Sequence, residues 1–240
     1  MFISFCIISI GDKPDKLRLS VSSIHRNFTS RDDYEIIVVG NNIDQFSDLD
    51  VVLIEDNDYI EFLGKRRNIA TDSAKSDILV HCDEDLVFPK NWYFNFRSYN
   101  DKNPDWHVLG NKVLLPDGGR YWDRSTYLPY HRMVDYDYCS DSDIFYQSGC
   151  FGVFKRSLLE TESWDDKIPF YGTQKGFEYN EDVEFSIRLH NLGIKPFFDK
   201  LNLVWHNDTT YLSEGQICNK RTRENIVNYK SLQFILDTSL

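Results

Sequence analysis

The sequence predicts one α/β domain: a mostly parallel central sheet, helices on its flanks, and a smaller mixed region in the second half of the chain. Three observations predict it. Residues 2–10, 34–39 and 78–82 are near-continuous apolar runs, the pattern of parallel strands covered on both faces. The segment after the first run carries helical spacing, with Leu17, Val21, Ile24 and Phe28 at intervals of 4, 3 and 4. The run at 78–82 passes straight into Asp83-Glu84-Asp85, placing carboxylates at the strand end where open α/β sheets bind ligands.

Taken in order, Gly11-Asp12-Lys13-Pro14 breaks the first strand, and a helix is predicted over 15–27. The second strand, 34–39, ends at Gly40-Asn41-Asn42, residues that tolerate positive φ. A short third strand over 51–54, a helix over 63–74 and the fourth strand over 78–82 complete a βαβ pattern. Beyond Pro89, residues 91–99 predict an aromatic-rich helix, and 106–115 a strand ending in the turn Pro116-Asp117-Gly118-Gly119. Residues 120–145 are irregular and crowded with Tyr, Asp and Arg, which predicts a loop or flap over a cleft. Strand character resumes over 145–154. A helix over 179–192 is stopped by Gly193, short strands follow at 196–198 and 201–205, and 223–236 forms an amphipathic helix with Ile226, Tyr229, Leu232 and Leu236 on one stripe.

Composition narrows the function classes. A chain of 240 residues has ample length for a core, and 27 basic against 38 acidic residues leave a net charge of −11. That balance excludes duplex nucleic acid as the partner, since phosphate backbones demand a basic surface. An acidic chain that binds an anionic nucleotide needs local cations or a metal to do so. Five cysteines without CxxC spacing form neither a zinc site nor a disulfide framework, and are read as reduced thiols of a cytoplasmic protein. The apolar start lacks a basic leader and is too short to span a bilayer, so no transmembrane segment is expected.

The acids carry the candidate chemistry. Three adjacent carboxylates repel one another unless solvent or a cation offsets them, and hard oxygen ligands suit Mg²⁺ or Mn²⁺, ions that bridge to substrate phosphates. The plainer reading of Asp83-Glu84-Asp85 is a solvated acidic turn. Glu181 and Asp182 open a helix, where acids stabilise the dipole. A carboxylate held there is expected to keep a low pKa and to accept a proton as a general base. His206, at the end of the last strand, is either a hydrogen-bonded histidine or a third metal ligand, and a mixed Asp/His set favours Mn²⁺. Lys65, Arg66 and Arg67 form either a solvated patch or a phosphate clamp. Gly149-Cys150-Phe151-Gly152 reads equally as a place of close backbone approach to a ligand or as a bulge.

The order of these signals resembles the GT-A glycosyltransferases, most closely the family-2-like enzymes. Gly64-Lys65-Arg66-Arg67-Asn68-Ile69-Ala70 resembles the family's G-x-x-R-N-x-A helix start, and Cys82-Asp83-Glu84-Asp85 its DxD segment. The stretch from Gln147 to Arg156 resembles its glycine-containing strand followed by a basic residue. Asn180-Glu181-Asp182-Val183 resembles the ED helix, and Val204-Trp205-His206 the late histidine. The resemblance covers roughly residues 2–206 and implies a single Rossmann-like GT-A catalytic domain over 1–240. Its nucleotide-binding half would be about 1–100, with the acceptor half and C-terminal helix beyond. It implies transfer of a sugar from a nucleotide-sugar donor to the hydroxyl of a glycan or other acceptor, with inversion. Asp83, Asp85 and His206 would hold Mn²⁺ or Mg²⁺ against the diphosphate. Ser9, Ile10, Asp12, Asn41, Lys65, Arg67, Asp83 and Glu84 would line the nucleotide, and Asp182, with Glu181 beside it, would be the base.

One departure stands out. Many relatives carry paired aspartates after the second strand, one of them contacting the base; here that place is Gly40-Asn41-Asn42, whose amides offer a different donor pattern. The resemblance therefore implies no particular nucleoside. The rival readings are a sugar-1-phosphate nucleotidyltransferase, a non-catalytic nucleotide- or carbohydrate-binding module, and a retaining transferase of the same fold. The first would carry a glycine-rich basic loop after strand one, which Gly11-Asp12-Lys13-Pro14 does not supply.

Overall fold

The computed structural model describes residues 1–57, 62–126, 132–138, 145–168 and 181–207. The first half follows the expected alternation: β1 (Ile3–Ser9), α1 (Pro14–His25), β2 (Tyr34–Gly40), β3 (Val52–Glu55), α2 (Leu63–Ser73), β4 (Ile78–Asp83), β5 (Leu86–Val87) and α3 (Trp92–Lys102). Then come β6 (Val108–Leu114), β7 (Arg124–Thr126), β8 (Arg132–Met133), β9 (Phe145–Gln147), β10 (Phe151–Lys155), α4 (Arg156–Thr161), α5 (Glu181–Asn191) and β11 (Phe197–His206). Eight strands form one sheet in the order β3-β2-β1-β4-β10-β6-β11-β5. The four N-terminal neighbours are parallel, as is the pair β6/β11; β10 and β5 run antiparallel to theirs.

Strand alternation divides the core into two layers. Phe5, Ile7, Val80 and Cys82 face α1 and α3, joining Phe88, Trp92, Phe96 and Trp106 in an aromatic cluster. Cys6 and Leu79 face the other way, toward Ala70 of α2, Leu158 of α4, and Phe185 and Leu189 of α5. Every residue of β1 and β2 is buried, which is why both read as near-continuous apolar runs.

Three expectations are corrected. The run at 145–154 is two strands, because Ser148-Gly149-Cys150 turns the chain out of the small sheet and into the large one. The last strands are one, β11, with a register shift between Asp199 and Leu203 that hides its continuity. The described part of 120–145 is not all irregular: it contributes β7, β8 and the start of β9 to a separate three-stranded antiparallel sheet. Asp123 anchors it, accepting from Arg120 Nε at 2.8 Å, the Val113 N–H at 3.1 Å and the Tyr136 hydroxyl at 3.0 Å. The helix expected over 223–236 lies outside the described residues, as do 179–180 and the rest of the expected flap.

Helix α2 departs from the usual apolar stripe. Its inward face is Gly64, Arg66, Arg67, Ala70 and Thr71. Arg66 is fully buried and ties three strand ends together, donating to Ser9 O at 2.8 Å, to Asp56 at 3.2 Å and to the Asn41 side chain. Removing one partner of a buried charge pair costs about 3–5 kcal/mol. Asp56 keeps a second cation, Lys65 at 3.2 Å, so Arg66→Ala is expected near the low end, at roughly 3 kcal/mol. Urea unfolding with an unchanged m-value measures it.

Candidate active site

Two groups of acids meet at the carboxyl edge of β1 and β4. The first is the expected metal set. Asp83 closes β4, Asp85 lies in the turn to β5, and His206 closes β11; one ligand atom from each lies within 4.8 Å of the others. β11 pairs with β5 through His206 opposite Leu86, and the Asn207 N–H donates to Asp85 O at 2.8 Å, so backbone hydrogen bonds fix the spacing of histidine and aspartate. His206 Nε2 faces Asp85 Oδ1 at 3.7 Å, and Tyr121 stacks on the imidazole with ring centroids 4.1 Å apart. Asp85 Oδ1 is buried and accepts no hydrogen bond. A buried carboxylate oxygen in that state is costly, and a divalent cation would relieve it. The donor set, two carboxylates and an imidazole, fits Mn²⁺ by its chemistry.

The second group is Glu181 and Asp182 on the first turn of α5, respectively 2% and 4% exposed. Asp182 Oδ2 accepts from the Tyr146 hydroxyl and from the Gly149 N–H at 2.9 Å. Asp182 Oδ1 is buried with no hydrogen-bond partner. The helix start was expected to lower this carboxyl's pKa. Burial overrides it: desolvation first, then the charge of Glu181, raise the Asp182 carboxyl to about 7, against hydrogen bonding from Tyr146 and attraction to Arg67. Desolvation likewise raises the Asp83 carboxyl, with Arg67 opposing and Asp85 adding to the rise.

Arg67 joins the two groups. Its guanidinium pairs with Glu181 at 2.5 Å, donates to Gly149 O at 3.0 Å and lies 3.9 Å from Asp83. The ring of Trp164 covers it, with Cζ 4.7 Å from the centroid. The next residue, Asn68, holds that tryptophan's backbone in both directions, at 2.9 and 3.0 Å. Gly149 is required by close approach: a Cβ there would lie 2.9 Å from Asp182 Oδ2 and 3.0 Å from Arg67 Nη2. Gly149 thus sits in a turn packed on Asp182, and Phe151 and Gly152 beyond it already belong to β10.

The residues expected to line a nucleotide gather at the same edge. The Ser9 hydroxyl donates to Glu84, Asn41 accepts from Arg66, and Lys65 pairs with Asp56. Ile10 is half-buried and Asp12 exposed just past the end of β1. Sequence reasoning missed Tyr146 and Tyr121, which touch Asp182 and His206, and it read Arg66 only as one of a basic trio. No local pattern marks the tyrosines. The arginines had a signal: a helix without an apolar stripe must bury something else.

No protein-family model matches the sequence, and no curated protein matches it. Solved structures do. S. aureus TarS 1-349 in complex with UDP-GlcNAc superposes with a TM-score of 0.63 at 14% identity, covering 98% of this chain and 65% of that one. GalNAc-T7 with UDP, GalNAc and Mn²⁺ gives 0.64 at 17% identity, covering 87% and 44%. Both are GT-A glycosyltransferases. This chain has the GT-A fold. It spans less than two thirds of the length of either neighbour. In GT-A terms, the Asp83/Asp85/His206 group lies at the edge of the sheet where β1 and β4 end. No described helix of this GT-A chain is long and apolar enough to cross a membrane.

Proposed function

We propose that this chain is a metal-dependent glycosyltransferase that moves a sugar from a nucleotide-sugar donor to an acceptor hydroxyl with inversion. The observation that carries the reading is the state of Asp182. One of its oxygens is held by two donors and the other has none, and the Arg67 guanidinium bridges its neighbour Glu181 to Asp83 of the cation set. A carboxyl raised to about 7 is matched to proton transfer at neutral pH. Asp182 Oδ1 takes the proton of the acceptor hydroxyl as its oxygen bonds to the anomeric carbon; the bond from that carbon to the diphosphate breaks, and the nucleoside diphosphate departs. A divalent cation held by Asp83, Asp85 and His206 would neutralise the departing diphosphate. Arg67 holds Glu181 and orients the base through Gly149. Ser9, Ile10, Asp12, Asn41, Lys65 and Glu84 bound the nucleotide side.

Incubating the protein with a panel of nucleotide sugars, with Mn²⁺ or with EDTA, tests this. The expected result is cation-dependent release of nucleoside diphosphate from a restricted set of donors, and a transferred sugar whose anomeric configuration is inverted in the proton NMR spectrum. Binding of a donor without its consumption would make the chain a non-catalytic module, and a retained configuration would remove Asp182 as base.

A further inference from the structure

Lys13 and Lys16 stand at the start of α1 and reach Asp85 of the proposed cation set. Their ammonium groups lie 3.9 and 3.8 Å from the same oxygen, Asp85 Oδ2, while His206 Nε2 faces Oδ1. These separations are too long for hydrogen bonds, so the contacts are between charges. In a chain with a net charge of −11, two lysines converging on one ligand of a cation site call for a reason. The anchors of both side chains are rigid: the Lys13 carbonyl accepts the N–H groups of Lys16 at 3.1 Å and Leu17 at 3.2 Å, and Leu17 is fully buried. Their four-carbon stems are not, with the side chains 34% and 25% exposed.

We infer that Lys13 and Lys16 are an exchange pair: they balance the charge of Asp85 while no cation is bound, and turn to the donor's diphosphate once a divalent cation takes Asp85. The inference rests on Asp83, Asp85 and His206 being the cation set proposed above. A divalent cation on Asp85 and two ammonium groups this near its Oδ2 repel one another, so cation binding is expected to weaken the lysines' hold on Asp85. A diphosphate brings the opposite charge to the same place, and flexible lysines bind phosphate as point charges. The pair therefore acts in opposite directions on two ligands, competing with the cation and favouring the diphosphate.

That opposition is the test. Calorimetry on wild type, the double variant Lys13→Gln/Lys16→Gln and the charge-keeping Lys13→Arg/Lys16→Arg is run first with Mn²⁺ alone. It is then run with UDP, GDP, CDP and ADP at saturating Mn²⁺. The glutamine variant is expected to bind Mn²⁺ more tightly and the preferred nucleoside diphosphate more weakly. Each change should be roughly two- to thirtyfold, the range for two partly exposed ion pairs. The arginine variant is expected to stay near wild type in both arms. Unchanged affinities in the glutamine variant, or changes of the same sign in both arms, overturn the exchange while leaving the cation set in place. A wild type that binds no Mn²⁺ overturns the cation set and this inference with it, and one that binds Mn²⁺ but none of the four diphosphates overturns the nucleotide reading and this inference together.

Discussion

Asp182→Asn is expected to lower kcat by about 10²–10⁴-fold, the usual contribution of a general base, with nucleotide affinity nearly unchanged. Asparagine keeps the shape and still accepts from Tyr146 and Gly149, but takes no proton. Stability should move the other way. The folded carboxyl is raised by burial to about 7, well above its ordinary value near 4. Between those values the folded state binds more protons than the unfolded one, so the wild type loses stability as pH rises from about 4 to 7. The variant escapes that loss and should melt higher than wild type at pH 8, with no such advantage at pH 4. Wild-type kcat/KM should climb tenfold per pH unit below about 7 and level off above it. Glu181→Gln should spare more of kcat, since that side chain holds Arg67. If the acids served only the helix dipole, Asp182→Asn would cost about 0.3–1 kcal/mol of stability and leave turnover ordinary. A single-turnover assay beside a thermal melt at two pH values separates these outcomes.

Asp85→Ala is the second large effect. Residues that merely support metal ligands cost 10–100-fold in affinity when lost, so removing a ligand is expected to weaken Mn²⁺ binding by more than about 100-fold and abolish cation-dependent turnover. The fold should not suffer. Asp85 Oδ1 is a buried oxygen with no hydrogen bond, and its charge raises the carboxyls of Asp83 and Glu84. Its removal relieves that repulsion, and the melting temperature in EDTA is expected to stay level or rise. Calorimetry with Mn²⁺ and a melt in EDTA measure the two halves. Undiminished Mn²⁺ affinity would take Asp85 out of the cation set.

The parts of this molecule that could be read from sequence are those where one requirement dominates. β1, β2 and most of β4 are covered on both faces, and apolar residues dominate there, the exceptions being buried polar groups such as Ser4, Glu35 and His81. The Asp83/Asp85/His206 group could be expected from sequence because acids at a strand end and a late histidine fell in the order that the resemblance carries, although a solvated acidic turn was the plainer reading of the acids alone. The rest depended on competition between requirements. The turn at Gly149 lies among residues that look strand-like, because what demands the glycine is Asp182 and Arg67, distant in sequence. The pKa of Asp182 was misjudged because a helix start lowers it and burial raises it, and only the fold says which is larger. Tyr121 and Tyr146 were invisible because tyrosines fill cores as readily as they touch histidines and carboxylates.

The polar centre has a further property, which follows from how far apart its members lie along the chain. Arg67 meets Glu181 across 114 residues and Gly149 across 82, and Ser9 meets Glu84 across 75. Each such closure spends chain entropy before any contact rewards it. A nascent chain exposing β4 already owns Asp83 and Asp85, yet Glu181, Asp182 and His206 join them only once α5 and β11 have docked. The proposed site is therefore assembled last, and a chain still searching for its final arrangement holds two of its acids without the groups that surround them in the fold.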